Sequence, residues 1–150
     1  MNVYLVQHAL ALSKEDDPER GLSGQGMVDA RRVAGFLAGK AEPARIVHSG
    51  KKRARQTAEL LAERLNGQQV EEMLDLDPMA DPGTWATHLA AITDDIMIVG
   101  HMPHVSRLTS LLLVGDANAE VVRFTNAGVA CLGRDEAGWS LRWMVTPGLV

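Results

Sequence analysis

The run IMIV at 96–99 is apolar at every position, too short for a stable helix and bounded by Asp95 and Gly100. Such a strand belongs where both faces of a sheet are covered. VYLV at 3–6 is a second run of this kind, and RIVH at 45–48 a shorter third. Between them the apolar period changes. Ser23 is placed to cap a helix on which Met27, Ala30, Val33, Ala34 and Leu37 recur at three- and four-residue spacing. Residues 51–66 predict a second helix, with Ala54, Ala58, Leu61 and Leu65 on one stripe and Gly67 just past its end. Trp85, Leu89 and Ile92 mark a third after Pro82, and Val105, Leu108, Leu111 and Leu112 a fourth after Pro103. A weaker strand is expected over 69–74. The tail reads as strands at 121–124, 127–132 and 139–145, joined by turns at 126–128 and 136–138.

This alternation predicts an α/β fold, a three-layer α/β/α sandwich on a mainly parallel sheet, with an antiparallel edge from the C-terminal strands. A chain of 150 residues without repeats or linkers is expected to form a single domain over 1–150. Binding crevices in such sheets lie beyond the carboxyl ends of the strands. The first strand ends on Gln7 and His8, the second on His48 and Ser49, and the run at 96–99 on Gly100 and His101. Lys51, Lys52, Arg53 and Arg55 then crowd the start of the second helix, where the free N–H groups are already partially positive. Lys51 and Lys52 are expected to splay into water, whereas at least one arginine implies an anion as counterpart.

Two histidines, an arginine and a helix terminus suit phosphoryl transfer without a metal, through an imidazole that carries the phosphoryl group. There is no GxxxxGK[ST] loop and no evident carboxylate trio for magnesium. His101 and His104 have the spacing of a ligand pair but lack third and fourth partners, so no metal and no cofactor is expected. A net charge of −4 argues against nucleic acid, and no stretch is apolar enough for a membrane. Met1 leads straight into a strand without a signal peptide, so a cytoplasmic protein is expected. Cys131 lies in an apolar run and reads as a core residue; Trp85, Trp139 and Trp143 are core candidates too.

Five motifs, in order along the chain, together resemble the histidine phosphatase superfamily, the phosphoglycerate mutase-like fold, and most of all its SixA-type phosphohistidine phosphatases. VQHA at 6–9 stands where the family has Arg-His-Gly or Arg-His-Ala, and RGLSGQG at 20–26 where it has Arg-Pro-Leu-Thr before a glycine. HSGKKRARQT at 48–57 resembles Ser-Pro-x-x-Arg-Ala-x-Gln-Thr, LDLDP at 74–78 the acidic Glu-Leu-x-Pro neighbourhood, and VGHMP at 99–103 the second catalytic histidine. The resemblance implies His8 as the phosphorylated nucleophile, Arg53 as a clamp on the phosphoryl oxygens and His101 as a donor to the same group. It also places Arg20 and Ser49 at the pocket as substrate-binding residues. Asp75 aligns with the family's proton donor, with Asp77 as a rival.

Gln7 departs from the pattern, standing where the family has arginine. Glutamine offers neutral N–H donors in place of a permanent charge, and losing one preorganised donor typically costs about 2.7–4 kcal/mol. Lys51, Lys52 and Arg55 are candidates for a compensating cation, and Gly50 replaces the family's proline. Two readings follow. The residues favour a phosphatase acting on protein-borne phosphohistidine, whose partner is a phosphohistidine-bearing protein domain. The alternative is a weakened or inactive relative that binds phosphate or a phosphoprotein without turnover. A small-molecule phosphatase ranks third, because so little chain separates the motifs that there is scarcely room for a lid. The oligomeric state is left open.

Overall fold

The computed structural model describes residues 1–66 and 69–150, so the expected cap at Gly67 lies outside the described residues. The chain runs β1 (Asn2–Gln7), α1 (Gly24–Leu37), β2 (Arg45–His48), α2 (Lys52–Ala62) and β3 (Val70–Glu72). It continues through α3 (Pro82–Ala91), β4 (Ile96–Gly100), α4 (His104–Val114), β5 (Val129–Asp135) and β6 (Gly138–Val145). The six strands form one sheet in the order β3-β2-β4-β1-β5-β6. β3, β2, β4 and β1 are parallel, whereas β5 runs antiparallel to β1 and β6 antiparallel to β5. This is the mainly parallel α/β sandwich with an antiparallel C-terminal edge that the periodicity predicts.

Each face of the sheet buries its own apolar layer. Tyr4, Val6, Ile46, Met97 and Val99 pack against Ala30, Val33, Ala34 and Leu37 of α1 and Ala54, Ala58 and Leu61 of α2. Their neighbours along the strands, Val3, Leu5, Val47, Ile96 and Ile98, face Trp85 and Leu89 of α3 and Val105 and Leu108 of α4. Side chains alternate across a strand, so an all-apolar run such as β4 is consumed by both layers at once. Ser23 caps α1 by accepting from the Gly26 N–H, and Pro82 occupies the first turn of α3 behind an Asp81 cap.

Two expectations are corrected. Residues 121–124 form no strand; the Ser106 hydroxyl donates to the Val122 carbonyl and the Val121 N–H to the Ser110 hydroxyl, so α4 satisfies this backbone where a ladder would. Trp85 is core at 1% exposure, but Trp139 and Trp143 are only half-buried, because β6 is an edge strand with one flank open. Cys131 is buried, as expected.

The sheet register positions the strand ends. Gln7 pairs with Gly100 and His48 with Val99, so β1, β4 and β2 end almost flush. Whatever follows those ends is delivered to one rim.

Candidate active site

His8 follows β1, and its N–H is still bonded to the Gly100 carbonyl at 3.0 Å, so the backbone carrying the imidazole is an extension of the sheet. Its Nδ1 lies 2.7 Å from the Ala9 carbonyl oxygen. A carbonyl only accepts, so Nδ1 carries the proton and Nε2 presents its lone pair. Arg53, in the first turn of α2, donates its Nε–H to that Nε2 at 3.3 Å. The rings of His8 and His101 are 5.1 Å apart, and the Ser49 hydroxyl sits 2.5 Å from His101 Nε2. Three chain segments separated by roughly forty to fifty residues thus meet at one point, as flush parallel strand ends require.

Electrostatics keep both imidazoles neutral. Burial pushes the His8 pKa below its ordinary value, and the charges of Arg53 and Arg20 add to this against the opposing Ala9 bond. His101 is pushed down to about 3 by burial first, then by His8, Arg53, Lys51 and His104. His48 and His104 are lowered too, each chiefly by burial. A phosphoryl dianion in the pocket would oppose the Coulombic part of the His101 shift, because the permanent charges acting on it, those of Arg53 and Lys51, are cationic.

A stability consequence follows. Between the folded pKa values and the unfolded value near 6.5, the unfolded chain binds more protons than the native one, so stability is lost as pH falls below that value. Each such histidine can withdraw up to about 1.4 kcal/mol per pH unit. Thermal unfolding followed from pH 7.5 to pH 5 should therefore show a Tm lower by roughly 5 °C or more, and added inorganic phosphate should recover part of the loss. A flat Tm over that window would contradict the neutral-imidazole assignment.

The remaining expected residues are placed unevenly. Arg20, at φ 50°, donates its Nε–H to the Leu12 carbonyl at 3.0 Å, and its charge acts on both His8 and Arg53. Gln7 has its Oε1 buried with no hydrogen-bond partner. Asp75 is exposed, at φ 62°, and makes no hydrogen bond or ion pair with His8, Arg53, Ser49 or His101 among the described residues. Its charge bears on His104. Asp77 pairs with Lys51 at 3.7 Å.

Lys51 is exposed, as expected, against an exposed Asp77, whereas Lys52 departs from the expectation. Lys52 binds Asp17 at 3.1 Å and Glu19 at 3.3 Å, because the loop carrying those carboxylates folds back over the start of α2. Arg55 is taken by Glu59 one turn on. Lys51, held only by the long, exposed contact with Asp77, has a charge that reaches His101 and is the candidate cation to compensate for Gln7. Gly50 sits at φ 88° with the Glu72 side chain against its Cα, a conformation closed to the proline it replaces. Its N–H donates to His48 Nδ1 at 3.0 Å, which ties the loop bearing Ser49 to the end of β2.

Two positioning residues escaped the sequence reading. Thr57 Oγ1 accepts the Ala9 N–H at 3.0 Å and donates to the Arg53 carbonyl at 2.7 Å, coupling the backbone beside His8 to the arginine. Its spacing of four from Arg53 on one helix was the available signal. Asn126 donates its Nδ2–H to the His8 carbonyl at 3.1 Å, and no motif announces it.

Residues 3–92 match the model of the histidine phosphatase superfamily, branch 1. Among curated proteins there is no significant sequence match. The fold matches the structure of the protein histidine phosphatase SixA complexed with tungstate at TM-score 0.87 and 29% identity, over 99% of each chain. It matches SixA from Agrobacterium tumefaciens at TM-score 0.81 and 28% identity, over 97% of this chain and 98% of that one. The alpha-ribazole phosphatase of Shigella flexneri, at 15% identity, shares the fold with TM-score 0.81 over 98% and 97% of the two chains. With the family match spanning well over half its length, the chain that joins these strand ends belongs to the histidine phosphatase superfamily.

Proposed function

We propose that this phosphatase removes phosphoryl groups from protein-borne phosphohistidine, through a covalent intermediate on His8. The observation that carries the reading is the alignment of His8: Nδ1 is held by the Ala9 carbonyl and Nε2 faces Arg53, 3.3 Å away. An uncharged imidazole with its outer nitrogen unprotonated is the nucleophilic form. As substrate enters, Arg53 exchanges His8 Nε2 for the phosphoryl oxygens, and Nε2 attacks phosphorus. The P–N bond to the substrate imidazole breaks, and that nitrogen leaves with the bonding pair, as a neutral ring whose proton is already carried by its other nitrogen. Water then attacks the phosphorylated His8, giving inorganic phosphate and restoring the neutral ring. Arg53 and His101 stabilise the charge on the equatorial oxygens in both steps. Ser49 orients His101, and Arg20 adds a further cation.

Asp75 needs no part in this scheme, which suits a phosphohistidine substrate. A protonated imidazole leaves far more readily than an alkoxide, so the demand for a general acid is small. The likeness to the SixA structures at 28% and 29% identity points the same way.

Gln7 favours a second reading, a relative that binds the phosphoryl group with little turnover, because a neutral amide whose Oε1 is buried without a partner stands where the family has a permanent positive charge. Phosphate release from a phosphohistidine-bearing protein domain and from an aryl phosphate separates the two. The enzyme reading expects release from the protein substrate, preferred over the aryl ester, and a rise of roughly tenfold or more on the ester in Gln7→Arg, since one oxyanion donor is worth about 10²–10³ in rate. Binding without release in the wild type, with release appearing only in Gln7→Arg, would replace the first reading by the second.

A further inference from the structure

We infer that the cavity between α4 and the 117–124 segment is a docking subsite for the part of a protein substrate that flanks its phosphohistidine, and that it selects an apolar side chain beside an acidic one. The inference rests on the reading of the protein as a phosphatase of protein-borne phosphohistidine. The cavity holds about 340 Å³, enough for one or two side chains, and Met102, Pro103, Val122 and Phe124 supply its apolar lining. It adjoins the phosphoryl site by connectivity on both sides. Met102 and Pro103 directly follow His101, and Phe124 lies two residues from Asn126, which holds the His8 carbonyl. The wall facing α4 is built rather than loose, because Ser106 and Ser110 fasten it through the hydrogen bonds to Val122 and Val121.

Its charge gives the occupant its character. Arg107 and Arg123 line the cavity, and among the described residues neither forms an ion pair. The other basic residues close to the catalytic cluster are engaged: Lys51 with Asp77, Lys52 with Asp17 and Glu19, Arg53 with His8, Arg20 with Leu12. One carboxylate, Glu120, also lines the cavity and pairs with neither arginine. In a chain of net charge −4, two unpaired guanidinium groups over an apolar floor are complementary to an acidic residue adjoining an apolar anchor. Met102, at 37% exposure, extends that floor to the rim. The leaving imidazole departs on the side away from the attacking nitrogen, so its carrier extends beyond the phosphoryl site, and the cavity that begins at Met102 and Pro103 is the neighbouring surface assigned to receive it.

The test uses the wild-type protein and three probes. These are a peptide bearing a non-hydrolysable phosphohistidine analogue flanked by leucine and glutamate, the same peptide with lysine for glutamate, and inorganic tungstate. Binding is read by fluorescence anisotropy or calorimetry. The expected result is at least roughly tenfold tighter binding of the acidic peptide than of the lysine peptide. That preference should disappear in the double variant Arg107→Glu, Arg123→Glu, with tungstate affinity unchanged. Equal binding of the two peptides, or a preference that survives the double variant, overturns the subsite while leaving the phosphohistidine reading intact. Failure of both peptides with tungstate still bound overturns the protein-substrate reading and the subsite with it. Loss of tungstate binding in the double variant would put the two arginines in the phosphoryl site and equally overturn the proposal.

Discussion

His8→Ala is expected to lower kcat/KM by roughly 10⁴-fold or more on every substrate the protein hydrolyses, because the two-step route through a phosphoenzyme then has no acceptor. The imidazole is half-buried at the strand-end rim, outside both apolar layers of the core, so the loss should come with little change in Tm. Its ring is fixed by the Ala9 carbonyl and Arg53, and its backbone by Gly100 and Asn126, so the alanine variant keeps the main-chain bonds that hold the loop. His8→Asn, which restores polarity without a nucleophile of comparable strength, should be as inactive as His8→Ala. Steady-state phosphate release on an aryl phosphate and a phosphohistidine protein checks both. Activity within tenfold of wild type in His8→Ala would remove His8 from the nucleophile's place.

Arg53→Ala is expected to reduce kcat/KM by about 10²–10³-fold, the usual cost of one preorganised donor to a developing oxyanion. Arg53→Lys should recover only part of this, since an ammonium keeps the charge but lacks the planar fork that can hold two phosphoryl oxygens. The effect has a second component. In the resting site Arg53 both lowers the His8 pKa and donates to its Nε2, so removing it should let His8 protonate at a higher pH. The acid limb of the pH–rate profile in Arg53→Ala should therefore move to higher pH than in wild type, a change that a merely structural residue would not produce. A parallel drop with an unmoved acid limb would mean that Arg53 acts through the fold and not on the reacting group.

These effects trace back to features of very different visibility in the sequence. β1, β2 and β4 were legible because strand formers end abruptly on His8, Ser49 and His101, and a parallel sheet brings such ends together. That one arginine of the cluster faces an anion was legible because cations at a helix N-terminus oppose the dipole, and the family motif singled out Arg53 from Arg55. The partners of those cations were not. Lys52 finds Asp17 and Glu19 only because a loop from 13 to 20 folds over α2, a tertiary event without a periodic signature. Likewise 121–124 carries strand-forming residues but meets serine hydroxyls of α4 before it can reach a strand, so tertiary context overrides its propensity. Asp75 follows the family's acidic neighbourhood in sequence; it is exposed at φ 62°, and among the described residues no hydrogen bond joins its carboxylate to the cluster. Thr57 and Asn126 act through backbone groups; a four-residue spacing from Arg53 hints at the first, and no side-chain pattern reveals the second.

His8, Arg53 and His101 are expected to hold one phosphoryl group among them, with His8 Nε2 as the attacking atom. A crystal structure of the protein soaked in vanadate, a mimic of the five-coordinate phosphorus, tests it most directly. The account predicts vanadium bound to His8 Nε2 opposite its leaving oxygen, with Arg53 and His101 donating to the equatorial oxygens. Vanadium bonded to another side chain, or an anion that leaves either Arg53 or His101 without contact, would contradict it.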